Sequence, residues 1–379
     1  MTGRDRQQDG SLLKDMLDRI GIRGLIDGPL ERGISVKGIL EAALKKPIPH
    51  VSWWSCFGGI AFLLFLIQAA TGILLMFFYI PAGPEAHRTI LYLAGQAPFG
   101  WFFRTIHHWA GIGMMFAISV HVLRVFVKGA YQKPRDLNWV IGSILFFLTA
   151  GFVLSGDLLP WTRSAYWSTV WWTDLVGDFP VIGHQIMLFL RGGENVTGFT
   201  VTRFYVFHVF GLPALTTLFM LIHFAIVRKL GISEPAVTIK SQKPGNKHAG
   251  RVEQREYPFY PNHLLRIIMA LMATVAVIAA MSALFPLPLE DIADPLAETG
   301  PGTRILWILK PAILMGDIVS RPSLVIMLTT ILAALFVLLP ILDRSGQRSI
   351  KRWALVAVPF LLWVLFLAWS LLLSTGVRG

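Results

Sequence analysis

Residues 104–126 read RTIHHWAGIGMMFAISVHVLRVF, with His107 and His121 fourteen positions apart, and residues 202–229 read TRFYVFHVFGLPALTTLFMLIHFAIVRK, with His208 and His223 fifteen apart. At 3.6 residues per turn both intervals are close to four turns, so the two histidines of each stretch fall near one helix face, roughly 21 to 22 Å apart along the axis. A single histidine in an apolar helix has a plain structural use, a hydrogen bond to a neighbouring helix. Two matched pairs fit something more specific. Haem iron takes two axial ligands, and two facing helices that each offer one histidine at each of two levels make two bis-histidine haem sites.

The rest of the chain supplies the solvent for such helices. Of 379 residues, 54% are hydrophobic and only 15% charged, where a soluble domain has roughly 25%. The composition is that of an integral membrane protein. The net charge of +12 does not indicate nucleic acid, because the basic residues lie in short loops between apolar spans, the positive-inside pattern. One cysteine excludes an internal disulfide and a cysteine-ligated cluster built by this chain alone. The first residues are charged and lack the apolar core of a cleavable signal.

Seven spans are expected, at about 51–80, 103–127, 138–159, 204–227, 264–287, 324–342 and 353–373. Residues 1–50 form an amphipathic segment that lies either on the cytoplasmic membrane surface or against soluble parts of an assembly. The basic loops KGAYQKPRD (residues 128–136), RKLGISEPAVTIKSQKPGNKHAGR (228–251) and DRSGQRSIKRW (343–353) belong inside, and the acidic PLEDIADPLAETGPG (288–302) outside. The expected fold is therefore an all-α integral membrane protein of about seven transmembrane helices, amino terminus in and carboxyl terminus out. A four-helix dihaem bundle (51–235) and a three-helix C-terminal half (263–379) are joined by a polar linker (236–262). In that topology spans two and four run the same way. His107 then pairs with His208 at the outer level, and His121 with His223 at the inner one.

Glycines repeat the interval. Gly58 and Gly72 in span one, and Gly142 and Gly156 in span three, are each fourteen apart. Glycine lets a bulky group approach the backbone, so two such rows clear space for two macrocycles, or serve ordinary small-residue helix packing.

Several segments carry a family resemblance: CFGGI and QAATG in span one, RTIHHW and HVLRVFVKGAYQKPRDLNWVIG in spans two and three, LPW and PVIG in the connection, TRFYVFH, HF and RKLGISEP in span four. Over residues 51–235 the chain resembles the cytochrome b family of Rieske/cytochrome b complexes, bc- and b6f-type, and especially its cytochrome b6 branch; about 255–375 resembles the subunit IV of that branch, here fused. The resemblance implies two haem b groups, a quinone or quinol as co-substrate, Rieske iron–sulfur and c-type cytochrome partners, and a homodimeric complex in a bacterial inner membrane. Arg104 and Arg124 sit where basic side chains meet haem propionates, or where span ends are simply anchored. Cys56 lies in a motif similar to the one that holds an additional haem by a single thioether, although a lone buried cysteine is ordinarily a small hydrophobe.

One departure is plain. The family carries a Pro-Glu-Trp-Tyr motif before span six whose glutamate takes a quinol proton. The corresponding segment here is RILWILKP, with Leu306 at the glutamate and Ile308 at the tyrosine. Leucine accepts no proton. Lys310, Asp317, Glu290, Asp291 and Asp157 are the candidates for an alternative proton path, each more simply read as a solvated loop charge. Two functions remain: a quinol-oxidising cytochrome b, or a transmembrane electron conduit with a quinone site and no bifurcation. A non-redox transporter would require all four histidines to be incidental, against the usual meaning of ionisable groups in a membrane.

Overall fold

A computed structural model describes residues 47–49, 53–231, 256–296, 306–309, 312–313 and 321–343. The N-terminal amphipathic segment, most of the linker, Lys310, Asp317 and the seventh span lie outside the described residues. Those described are almost entirely helical. A short antiparallel pair, β1 (Pro47–Pro49) with β2 (Glu256–Pro258), places Ile48 opposite Tyr257 and brings the entry to span one beside the entry to span five.

Span one is α1 (Phe57–Met76), led in by a 3₁₀ turn over Trp53–Cys56. Then come α2 (Pro84–Gly95), α3 (Gly100–Val127) and α4 (Asp136–Asp157), followed by α5 (Arg163–Gly177) and α6 (Gly183–Arg191). Helix α7 runs over Gly198–Leu230, α8 over Leu264–Leu284, and α9 over Pro322–Val337. Five of these, Trp53–Met76, α3, α4, α7 and α8, are long and apolar enough to cross a membrane, and α9 is a shorter apolar helix.

Their composition explains why helices are the solution. Without water, each backbone N–H and C=O must be met inside its own segment, and a helix does this. Span hydroxyls follow the same rule: Ser119, Ser143, Thr149 and Ser282 each donate to the carbonyl four residues back at 2.7 to 2.9 Å. Large apolar side chains stay on the outside, including Phe116, Phe210, Leu221 and Met272, each more than 60% exposed. In water that surface would aggregate; facing lipid it is ordinary.

Packing pairs α1 with α3 and α4 with α7, and the two pairs face each other as a four-helix bundle. Helix α8 lies against α1 and α3, and α9 against α4 and α5. Trp139 Nε1 donates to the Phe336 carbonyl at 2.9 Å, and Tyr131 donates its hydroxyl to Asp343, which ties the α3–α4 loop to the end of span six.

Two connections are more ordered than the sequence reading expects. Residues 160–202, read as one long connection, hold α5 and α6 as a helical hairpin clamped by Arg191. That buried guanidinium donates to Thr173 Oγ1 (2.7 Å), Asp174 Oδ1 (2.6 Å), and the carbonyls of Val170 and Glu194 (both 2.8 Å). Likewise α2 fills the 81–102 connection, started by Gly83 at φ +47° and Pro84. Span one ends at Met76, four residues before its expected end, and span four begins at Gly198, six before its expected start.

Candidate dihaem site

The histidines pair by level. His107 of α3 faces His208 of α7 with ring centroids 6.1 Å apart, and His121 faces His223 with centroids 6.4 Å apart. An imidazole nitrogen binds a metal at roughly 2.0 Å and lies roughly 1.1 Å from its own ring centre, so two imidazoles trans on one iron have centroids about 6 Å apart. Both levels fit that spacing. The residues present therefore suit two bis-histidine irons, about 21 Å apart along α3.

The unequal intervals, fourteen on α3 and fifteen on α7, are reconciled by a local change of helix type. At about 100° per residue, fourteen residues fall about 40° short of four turns and fifteen overshoot by about 60°. Helix α7 contains a π turn over Phe207–Gly211, closed by the Leu212 N–H on the Phe207 carbonyl, and His208 lies within it. The π turn takes up the extra residue, and His208 and His223 share a face as His107 and His121 do. Pro213 follows directly. It has no N–H to give the carbonyl four residues back, so a regular α-turn was not available there.

The four glycines stand one to each histidine. A Cβ built on Gly72 would lie 3.4 Å from His107 Cε1, on Gly156 2.7 Å from His208 Cε1, on Gly58 3.1 Å from His121 Cε1, and on Gly142 3.7 Å from His223 Cε1. The two glycine rows thus receive the imidazole rings, where the sequence reading has them clearing room for the macrocycles. Helices α1 and α4 are the walls against which α3 and α7 press their histidines.

Two further groups were not singled out from sequence. Thr71 Oγ1 lies 2.9 Å from His107 Nδ1, and Ser155 Oγ lies 3.0 Å from His208 Nδ1. Each immediately precedes one of the four glycines, which was the available signal. Among the described residues no hydroxyl meets His121 or His223; His121 Nδ1 is buried without a hydrogen-bond partner there, and His223 has the Asn138 backbone carbonyl beside it.

Of the arginines, Arg104 is buried and donates to the carbonyls of Leu287 (2.8 Å) and Pro288 (3.5 Å), which ties the start of α3 to the chain leaving α8. Arg124 is half-buried beside Cys56, and its Nε meets no acceptor among the described residues. Cys56 is 4% exposed, the last residue of the 3₁₀ lead-in and the N-cap of α1, near both Arg124 and Arg266 of α8. Of the acids, Asp291 pairs at 3.6 Å with Arg163, both exposed. Asp157 closes α4 next to Gly156, and Glu290 lies near enough for their charges to interact. The Glu290 carbonyl accepts from His87 Nε2 at 3.0 Å. The Leu306 N–H donates to Ser168 Oγ of α5 at 3.0 Å.

A transmembrane four-helix bundle with two stacked bis-histidine levels defines a membrane dihaem cytochrome. Residues 43–231 match the family model described as cytochrome b/b6/petB. Cytochrome b6 of Porphyra purpurea is 42% identical over 206 residues, 54% of this chain and 96% of that protein. Among solved structures, a chain of a hyperthermophilic respiratory Complex III superposes with a TM-score of 0.76 at 26% identity, covering 94% of this chain and 90% of that one. The chain belongs to the cytochrome b family. It is an integral membrane, haem b-binding electron-transfer subunit of a bc-type, quinol-oxidising complex.

Proposed function

We propose that this chain carries electrons between two haem b groups, held by His107 with His208 at the outer level and His121 with His223 at the inner one. Its partners in that role are a Rieske-type iron–sulfur protein, a c-type cytochrome and the quinone pool of a bacterial inner membrane. The observation that carries the reading is the pair of facing histidine couples at 6.1 and 6.4 Å. The bound haem irons supply reversible one-electron chemistry. The chain's own residues do the rest: α3 and α7 fix the ligands, the glycines of α1 and α4 set how closely the rings approach, and the apolar exterior keeps the path dry.

The same reading assigns Cys56 a thioether to a third haem, with Arg124 and Arg266 supplying positive charge for carboxylates at the inner level. It makes residues 263–379 a fused equivalent of subunit IV; α8 and α9 pack on the bundle as such a half requires. Arg104 serves the outer level as a strut that keeps the chain after α8 against α3.

Leu306 supports a second reading, a non-bifurcating conduit between the quinone pool and another redox partner. Its side chain offers no proton acceptor, and its N–H is engaged by Ser168. The two readings separate in one experiment on the purified native complex: a single turnover with quinol, an inner-site inhibitor present, haem b reduction followed optically and the subunits identified by mass. Oxidant-induced b-haem reduction with a Rieske protein present supports bifurcation. Simple equilibration of both haems with the quinone pool, and no Rieske protein, establishes the conduit.

A further inference from the structure

The two haem levels share a ligand arrangement and differ in one feature of the walls behind it. At each level, each histidine presses its Cε1–Nδ1 edge on a glycine of α1 or α4. The residue just before the glycine differs between the levels. Before Gly72 and Gly156 that residue is Thr71 and Ser155; before Gly58 and Gly142 it is Phe57 and Ile141. The fourteen-residue repeat places Phe57 under Thr71 and Ile141 under Ser155, so the hydroxyl is present at one level and replaced by hydrocarbon at the other.

The direction of the hydrogen bonds follows from counting protons. Thr71 Oγ1 lies 2.7 Å from the Ile67 carbonyl and Ser155 Oγ lies 2.7 Å from the Gly151 carbonyl, and a carbonyl only accepts. Each hydroxyl has a single proton, which is committed there. Toward the imidazole, Thr71 and Ser155 therefore accept, so Nδ1 carries the proton and Nε2 of His107 and His208 presents its lone pair to a metal. A hydroxyl that already donates is a stronger acceptor. Drawing density from Nδ1–H enriches Nε2, which stabilises Fe(III) relative to Fe(II). Both α4-facing histidines also stand near a backbone carbonyl one turn before their glycine, Phe152 for His208 and Asn138 for His223. The carbonyl is thus common to the two levels. The hydroxyl is the difference.

We propose that Thr71 and Ser155 are positioning residues that fix the tautomer of His107 and His208 and lower the reduction potential of the haem they ligate, while the apolar Phe57 and Ile141 leave the other haem without that effect. This rests on the two-haem reading of the site, and the test keeps the two apart. The sequence carries the device as a hydroxyl–glycine dipeptide at one level and an apolar–glycine dipeptide at the other.

The experiment is an equilibrium redox titration of the purified complex, each b haem followed by its own reduced band and by its ferric low-spin resonance. Thr71→Val and Ser155→Ala should each favour reduction of the His107–His208 haem three- to tenfold, an upward shift of about 30 to 60 mV for a one-electron couple. The His121–His223 haem should not move. Thr71→Ser and Ser155→Thr retain the hydroxyl and should titrate as wild type. In the opposite sense, Ile141→Thr should lower the potential of the His121–His223 haem. The proposal is overturned if Thr71→Val and Ser155→Ala leave the potential in place, if they move both haems together, or if Thr71→Ser shifts as far as Thr71→Val. A wild-type preparation without b-type spectra overturns the haem reading itself; intact spectra with unmoved potentials overturn only this assignment.

Discussion

Replacing Gly156 by alanine tests the packing logic of the site at its tightest point. The added methyl would lie 2.7 Å from His208 Cε1, 3.3 Å from Nδ1 and 3.5 Å from Nε2, whereas ordinary contact begins at 3.4 Å. The ring has little freedom to retreat. Ser155 holds its Nδ1 at 3.0 Å, Phe152 stands edge-on at 5.5 Å, and retreat from α4 carries it toward His107, closing the 6.1 Å interval in which an iron fits. Overpacking of this kind costs about 1–3 kcal/mol. Taken wholly from haem binding, that is roughly a 5- to 150-fold loss of affinity. Gly142→Ala is the internal control, because its methyl would sit 3.7 Å from His223 Cε1, within ordinary contact. Haem content per chain and stepwise reduction spectra of the two variants decide the matter. Gly156→Ala should lose or broaden the His107–His208 haem and keep the other, and Gly142→Ala should keep both. Two full, unshifted b haems in Gly156→Ala would refute the claim that this glycine sets the approach of His208 to the helix.

Three other outcomes are expected. His121→Leu or His223→Leu should remove one b-haem spectrum and leave the haem of His107 and His208, since the two levels share no ligand; loss of both in either variant would contradict separate sites. Cys56→Ser should abolish haem that resists acid–acetone extraction while the b haems stay at full occupancy, and its persistence would remove Cys56 from cofactor attachment. Arg191→Met, which deletes four hydrogen bonds from the α5–α6 hairpin, should destabilise it by about 2–4 kcal/mol, read as faster proteolysis within residues 163–191 in detergent; unchanged cleavage would show the hairpin held by its apolar contacts instead.

What was legible in the sequence follows from what periodicity encodes. The spans and the histidine levels were readable because an apolar solvent forces long helices, and a four-turn interval survives in a helix whatever surrounds it. The hairpin of α5 and α6 was hidden because its order comes from one buried arginine meeting partners from residue 170 to residue 194. Arg191 has no periodic signature, and a Trp-rich, amphipathic stretch between spans reads equally as connection. The glycine rows were visible as spacing, but their role was not. Whether a glycine faces a macrocycle or a histidine ring depends on the rotation of α1 against α3 and of α4 against α7, which packing alone decides. The fifteen-residue interval was the opposite case. The sequence shows it only as close to four turns, and the π turn at Phe207–Gly211 shows how the extra residue is absorbed.

The polar atoms that the fold leaves unmet are not evenly shared between the levels. At the His107–His208 level both Nδ1 atoms have hydroxyl acceptors, and Arg104 donates to two carbonyls after α8. At the His121–His223 level, His121 Nδ1, Arg124 Nε and Asn138 Oδ1 are all buried without a partner among the described residues, and Cys56 with Arg266 lies near Arg124. Buried polar groups in native proteins are nearly always satisfied, by protein, water or a bound group. Unmet polar atoms at this level suit a bound group that brings hydrogen-bonding partners of its own: the proposed third haem carries carboxylates, and a quinone carries ring carbonyls. At the level lined by Thr71 and Ser155 both ligand Nδ1 atoms are already met, and the unmet atom nearby is Gln68 Oε1, one turn before Thr71 on α1. On the proposed function, the chain divides its labour accordingly: one haem whose ligand imidazoles are held by the protein's own hydroxyls, and one whose surroundings are finished by what binds there.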